Sequence, residues 1–431
     1  MSKTFRLLLA AALALGSMVI VSMAHSTGLN KVDFDVASNA LRGNAMKDPA
    51  KRPVTVYLPD GYSKSTARYP VVYILPGLLM FRMEESVAAL VDHRRPTLAP
   101  QFAAAFGNFA FDMDGIAQRL MSTGAIPKAI LVEVSGMTGY GGSWYECSPS
   151  FGDHRTFVAR DVVAAVDKRF RTIRNRDGRA LLGFSMGGYG ALALAIEYPA
   201  VFGALGLLSP AINDVDLPPP PAAPALVSIY RILPNRTPIS GLPVDKPMSP
   251  EQTAATQGTV PASPKSDGRF FAAAVWTGNQ RVSFDPKAPF LAHSLLTDDS
   301  NPKSPLNQAV WRQWSATDTA SRVAAGATNL HRTPVFLGRG NNNKVPFHRE
   351  ILDHPALITA FNTYGVQFAD FQVNGDHYTS LAPPAAEGPV GTFEVGLRFV
   401  LSRLGTQKER PVTYNAALKH EHQSCAAKFP R

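Results

Sequence analysis

One pentapeptide limits what this chain can fold into more than any other feature. Gly183-Phe184-Ser185-Met186-Gly187 sets a serine between small residues. Before it stands Arg179-Ala180-Leu181-Leu182-Gly183-Phe184, apolar and of strand length. After it, small and apolar residues continue as a helix towards Tyr198-Pro199. A strand that turns straight into a helix leaves no room for side chains beside the turn, which accounts for Gly183, Gly187 and Gly188. Such an elbow lifts the serine hydroxyl above the sheet edge. The helix that follows aims its positive end at any oxyanion formed there.

The rest of the chain reads as strands alternating with helices. Lys31–Val36 alternates polar and apolar, with Val32, Phe34 and Val36 on one face, and Arg52–Leu58 does much the same before the Pro59-Asp60-Gly61 turn. Tyr69–Leu75 and Ala129–Val134 are continuous apolar runs of the kind buried on both faces. Phe157–Phe170 carries Val158, Val162, Val163, Val166 and Phe170 at helical intervals. Ala204–Leu208, Pro334–Gly338 and Gln367–Val373 are further strands, and Thr392–Leu404 is the last helix. This order predicts a mostly parallel sheet with helices on both faces. With the serine elbow, it is the α/β-hydrolase fold. Two stretches break the rhythm, at about 81–111 and about 214–305, and they read as insertions. The second begins with Pro218-Pro219-Pro220-Pro221 and holds the apolar cluster Phe270, Phe271, Val275 and Trp276. It leaves from the carboxyl end of a strand, the edge where open α/β sheets bind ligands, so it is expected to lie over the site.

A serine hydroxyl needs a base, and in this fold the chain order is serine, acid, histidine. His377 follows the last predicted strand, so it is the expected base. The acid is expected after the strand Pro334–Gly338, but the loop reads Arg339-Gly340-Asn341-Asn342-Asn343-Lys344 and has no carboxylate. Glu350 is ranked first, with Asp353 and Asp214 behind it. Asp376 is adjacent to His377 and badly placed to reach the same imidazole. The oxyanion hole needs two main-chain N–H donors. Met186 follows the serine, and Leu78 lies in the loop after Gly77. Trp144, Tyr145 and Trp276 are expected to wall the substrate pocket. The chemistry calls for no cofactor, and His420-Glu421-His422 with Cys425 matches no standard zinc spacing.

Targeting and charge narrow the setting. Lys3 and Arg6, the apolar run Leu7–Val21 and Ser22-Met23-Ala24 form a signal-peptide pattern over residues 1–24. The mature protein is therefore expected to be secreted or periplasmic, with no transmembrane segment left after cleavage. The catalytic domain then covers 25–405, and 406–431 is a polar tail. In an oxidising compartment Cys147 and Cys425 can pair. The formal charge is +10, but the cations are scattered without an arginine-rich tract, so no nucleic-acid partner is expected. Weak attraction to an anionic envelope is compatible with this charge.

Three stretches together resemble the esterase D-like family: Val54–Tyr62, Tyr69–Gly77 and Gly183–Ala191. That family includes S-formylglutathione hydrolases, feruloyl esterases, enterochelin esterases and secreted mycolyltransferases. The resemblance covers roughly Lys31 to Leu404 outside the insertions. It implies a triad of Ser185, an acid and His377. In the mycolyltransferases the acid is a glutamate beyond the penultimate strand, and Val345-Pro346-Phe347-His348-Arg349-Glu350 resembles that arrangement. Other members carry an aspartate where this chain has Asn341 to Asn343. The expected activity is hydrolysis of a small-molecule or polysaccharide-linked carboxylic ester through an acyl-serine. A secreted acyltransferase with the same triad and a non-catalytic binding protein on the same fold are the alternatives. Pro76 and Leu79, where acyltransferase members tend to be polar, weigh against the first.

Overall fold

A computed structural model describes residues 29–44, 48–77, 80, 82–83, 111–138, 142–148, 152–212, 316–341, 355–382 and 390–405. Its strands are β1 (Asn30–Ala37), β2 (Lys51–Leu58), β3 (Val71–Leu75), β4 (Ile130–Val134), β5 (Cys147–Ser148), β6 (Gly152–Asp153), β7 (Arg179–Phe184), β8 (Ala204–Leu208), β9 (Val335–Gly340) and β10 (Phe368–Val373). Eight of them form one sheet in the order β1-β2-β4-β3-β7-β8-β9-β10, while β5 and β6 pair as a small ribbon. β2 runs antiparallel to both β1 and β4. From β4 to β10 every neighbouring pair is parallel. The chain therefore has the α/β-hydrolase architecture that its strand–helix alternation predicts.

Burial follows sheet position. β3, β4 and β7 lie inside the sheet and bury every residue. β1 is an edge strand and alternates, with Phe34 and Val36 buried and Asp33 and Asp35 exposed. β2 departs from its expected alternation, since Val54 to Leu58 are all buried. It is flanked on both sides, and the hydroxyl and phenol of Thr55 and Tyr57 find carboxylates at Asp33 and Glu133.

The helices are α1 (Met113–Ser122), α2 (His154–Thr156, a π-turn section Phe157–Val162, then Val163–Arg169), α3 (Met186–Glu197), α4 (Ala316–Leu330), α5 (Pro355–Thr363) and α6 (Thr392–Arg403). α3 packs on β3, β7 and β8, α4 lies against α3 and α5, and α6 crosses β7, β8 and β9. The sequence pattern did not reveal α1, α4 or α5. α4 shows why: ATDTASRVAAGATNL is built from small and polar residues and presents a thin apolar stripe. None of the described helices is long and apolar enough to cross a membrane. Residues 84–110, 213–315 and 406–431, which hold nearly all of both expected insertions and the tail, lie outside the described residues, as does the expected signal peptide.

α6 is latched to α1 by charge. The Glu394 carboxylate takes bonds from Arg119 and, at 2.8 Å, from Arg398. Burial pushes its pKa up, but the two guanidinium groups outweigh this and hold it below the ordinary value. A depressed folded pKa means that the stabilisation is present at neutral pH and is lost as pH falls through that pKa. Glu394→Gln should cost about 1 kcal/mol in urea unfolding at pH 7. The difference from wild type should close as the pH is lowered. A cost that stays constant down to acid pH would show that the latch works by packing and not by charge.

Candidate active site

The elbow is held by contacts that tolerate no side chain. A Cβ on Gly187 would lie 1.8 Å from the Leu75 carbonyl oxygen, and one on Gly183 would lie 2.1 Å from the Gly187 carbonyl oxygen. The first turn of α3 therefore rests directly on the end of β3 and on its own strand. Ser185 takes up the cost, with φ 54° and ψ −119°, a region that a non-glycine residue rarely adopts. Its main chain is fixed on both sides. Its N–H donates to Leu208 O at 3.0 Å, and its carbonyl accepts from Gly188, Tyr189 and Ala211 N–H at 2.9–3.1 Å. Met186 opens α3, so its N–H has no carbonyl four residues back within the helix. The loop after β3 passes close by, since a Cβ on Gly77 would come within 3.3 Å of the Ser185 Cβ.

His377, in the turn after β10, meets this serine at the same edge of the sheet. Its Nε2 is 2.9 Å from Ser185 Oγ. The ring is buried, stacked on Phe184 at 4.8 Å and met edge-on by Tyr378 at 4.9 Å. The turn that carries it is fixed by Asp376. The Asp376 Oδ1 accepts from the Tyr378 and Thr379 N–H groups at 2.9 and 2.8 Å, and the Asp376 N–H donates to Thr379 Oγ1 at 2.8 Å. Asp376 is thus a capping residue of the loop, in keeping with its poor placement for the imidazole. Ser380 Oγ donates to the His377 carbonyl at 3.2 Å and lies 3.3 Å from Ser209 Oγ at the end of β8. Burial, followed by the charge of Asp376, pushes the Tyr378 phenol above its usual range, so it stays neutral.

Of the other expected site residues, Met186 stands at the helix start and Trp144 is buried with its ring edge-to-face on Tyr189 at 5.6 Å. Tyr145, expected to wall the pocket, has a second role as a buried anchor. It is wholly buried, and its hydroxyl accepts from Gly136 N–H at 3.0 Å and shares its proton between Val134 O at 3.0 Å and Pro76 O at 3.1 Å. The phenol thereby ties the end of β4 to the loop that leaves β3. Trp144 and Tyr145 both have φ 55°, a strained pair that this buried hydroxyl helps to hold. Glu350, Leu78 and Trp276, with Asp353 and Asp214, lie outside the described residues. Cys147 is disulfide-bonded, and Cys425, the other cysteine of the sequence, lies outside the described residues.

Sequence reasoning missed a buried acidic residue beside the site. The Glu146 carboxylate takes bonds from Arg155, from Arg322 at 2.7 Å and from the Tyr189 hydroxyl at 2.8 Å. This joins α2, α3 and α4 behind the elbow. A charged residue next to an aromatic pair was the available signal, but its cationic partners come from distant segments.

Residues 44–379 match the Esterase family model. The chain is 32% identical to Esterase Rv1288 of Mycobacterium tuberculosis (strain H37Rv) over 149 residues, 34% of this chain and 26% of that protein. The match thus spans about a quarter of the curated relative. Among solved structures, a ferulic acid esterase is similar at 16% identity and a TM-score of 0.48, covering 87% of this chain and 99% of that one. An S-formylglutathione hydrolase from Agrobacterium tumefaciens is similar at 15% identity and a TM-score of 0.44, covering 88% and 96%.

Tyr145→Phe should separate the two roles considered for this residue. Losing the hydroxyl leaves the Gly136 N–H and two buried carbonyls short of a partner, which should cost about 1–3 kcal/mol in urea unfolding. A change that left stability untouched would return Tyr145 to the pocket wall.

Proposed function

We propose that this chain, which belongs to the Esterase family, is a secreted serine esterase that cleaves carboxylic esters through an acyl-Ser185 intermediate. The observation that carries this reading is the 2.9 Å contact between His377 Nε2 and a serine held at an otherwise disfavoured backbone conformation. Strain of that kind persists only where the surroundings over-determine it, and here they aim the hydroxyl at a base.

In the proposed cycle His377 takes the Ser185 proton as Oγ attacks the ester carbonyl. The tetrahedral oxyanion is met by the Met186 N–H and by a second donor from the loop after Gly77, for which Leu78 is our choice. Collapse releases the alcohol, which leaves with the proton from His377, and the acyl group stays on Ser185. Water then loses a proton to His377 and attacks the acyl carbon. The acid leaves, and the proton returns to Ser185. Glu350 is our assignment for the carboxylate that orients His377 and stabilises its cation. No cofactor enters these steps. The substrate is a small-molecule or polysaccharide-linked ester, and residues 1–24 are read as the export signal.

A fluorophosphonate probe should label Ser185, and Ser185→Ala should abolish both labelling and turnover of p-nitrophenyl esters. His377→Ala should lower kcat by roughly ten-thousand-fold or more, because triad members act as a unit. Near-wild-type turnover in either variant would overturn the assignment. Glu350→Gln should impair kcat far more than Asp353→Asn or Asp214→Asn. If one of those two is the sensitive position, the acid is reassigned to it. Free acid should remain the main product when an alcohol acceptor is added, and a dominant new ester would make the enzyme an acyltransferase. Mass spectrometry of the exported protein should find His25 at its amino terminus.

A further inference from the structure

The amino-terminal edge of the sheet gathers exposed cations. The parallel strands β3, β4 and β7 begin at the edge opposite Ser185. Their approaches carry Lys64 and Arg68 before β3, Lys128 before β4 and Arg174 before β7, with Lys168 and Arg169 at the tip of α2 on the same edge. All six are exposed. Several of these cations are held by neutral acceptors: Arg68 donates to Thr172 O at 3.1 Å, Lys128 to Asp60 O at 2.7 Å and Arg174 to Asp167 O. Arg169 lies over the Phe34 ring at 4.5 Å. A carbonyl or ring fixes a cation without cancelling its charge. Acids share this edge: the carboxylate of Asp167 already serves Arg179 at 2.6 Å, and that of Asp60, which is exposed, accepts from the Gln118 amide.

A second feature shares the edge. Tyr364, in the turn that enters β10, is the exposed large hydrophobic side chain among the described residues. β10 stands four strands from β3 in the sheet, about 20 Å away at the usual strand spacing. The cations are distributed over three strand approaches and a helix tip, with a tyrosine at the margin. Tyrosine favours the boundary between polar headgroups and acyl chains.

We propose that this amino-terminal edge docks on an anionic lipid bilayer. Clustered Lys and Arg are drawn to the negative potential of such a surface. Ser185 follows the other end of β7, a six-residue strand of about 20 Å, so docking turns the serine away from the bilayer. The docking itself does not depend on the catalytic reading.

The test is co-sedimentation of the purified exported protein with vesicles of phosphatidylcholine alone or mixed with phosphatidylglycerol. Binding should need the anionic lipid and should fade in high salt. Lys64→Glu with Lys168→Glu should weaken it by at least about tenfold. The control pair Arg42→Glu with Lys51→Glu makes the same change in net charge near the opposite edge, and it should act by no more than about twofold. Tyr364→Ala should weaken binding without changing the salt dependence. Circular dichroism and turnover of a soluble ester check that each variant is folded, and Lys64→Gln with Lys168→Gln serves if the reversals are not. Equal losses in both pairs, equal binding to neutral vesicles, or binding to heparin without binding to anionic vesicles would each overturn the proposal.

Discussion

Gly187 rests its α-carbon on the last carbonyl of β3, and the geometry of the site follows from that contact. With no side chain at 187 or 183, the first turn of α3 can close on β3 and β7 together. Closing it forces Ser185 to a positive φ, and the end of β8 then locks that residue through Leu208 and Ala211. Three strands and a helix are thus brought into register around one serine. The strain at that serine is small against the burial of β3, β7 and α3, all of which lie almost wholly in the core. A methyl group at 187 would break the contact with nothing able to yield, since the opposing atom is main chain.

The loops at the carboxyl ends of the strands are held by buried polar groups and not by apolar packing alone. Glu133 in β4 takes the Tyr57 hydroxyl and the Met83 N–H, both at 2.7 Å. Tyr145 bridges the exits of β3 and β4. Glu146 gathers Arg155, Arg322 and Tyr189. Buried groups of this kind are costly unless every bond is made, so each admits few loop arrangements. Removing one partner of the buried Glu146–Arg155 ion pair costs about 3–5 kcal/mol, which makes it a sensitive point away from the chemistry.

The two ends of the sheet gather different side chains. At the carboxyl end the chain turns inward, and a serine and a histidine meet among aromatic rings. At the amino end, arginines and lysines close the turns by donating to carbonyls and keep their charge towards solvent. The same topology, parallel strands with all their carboxyl ends on one side, separates the two.

The sequence by itself determined the strands of the main sheet, the elbow and the position of His377 after the last strand, because each is written locally. Apolar runs mark interior strands, glycines mark a turn with no room for Cβ, and a histidine after the last strand must stand at the carboxyl edge. It did not disclose α1, α4 or α5, and α4 is built from small and polar residues that leave only a thin apolar stripe. Nor did it show that Tyr145 points inward, or that Asp376 caps the loop of His377. These depend on partners from distant segments: Tyr145 needs the exits of two strands, and Ser185 and His377 meet across 192 residues of chain. Local pattern records whether a residue is buried. Only tertiary structure decides which groups it is buried against, because hydrogen-bond partners are chosen by the packing of whole elements.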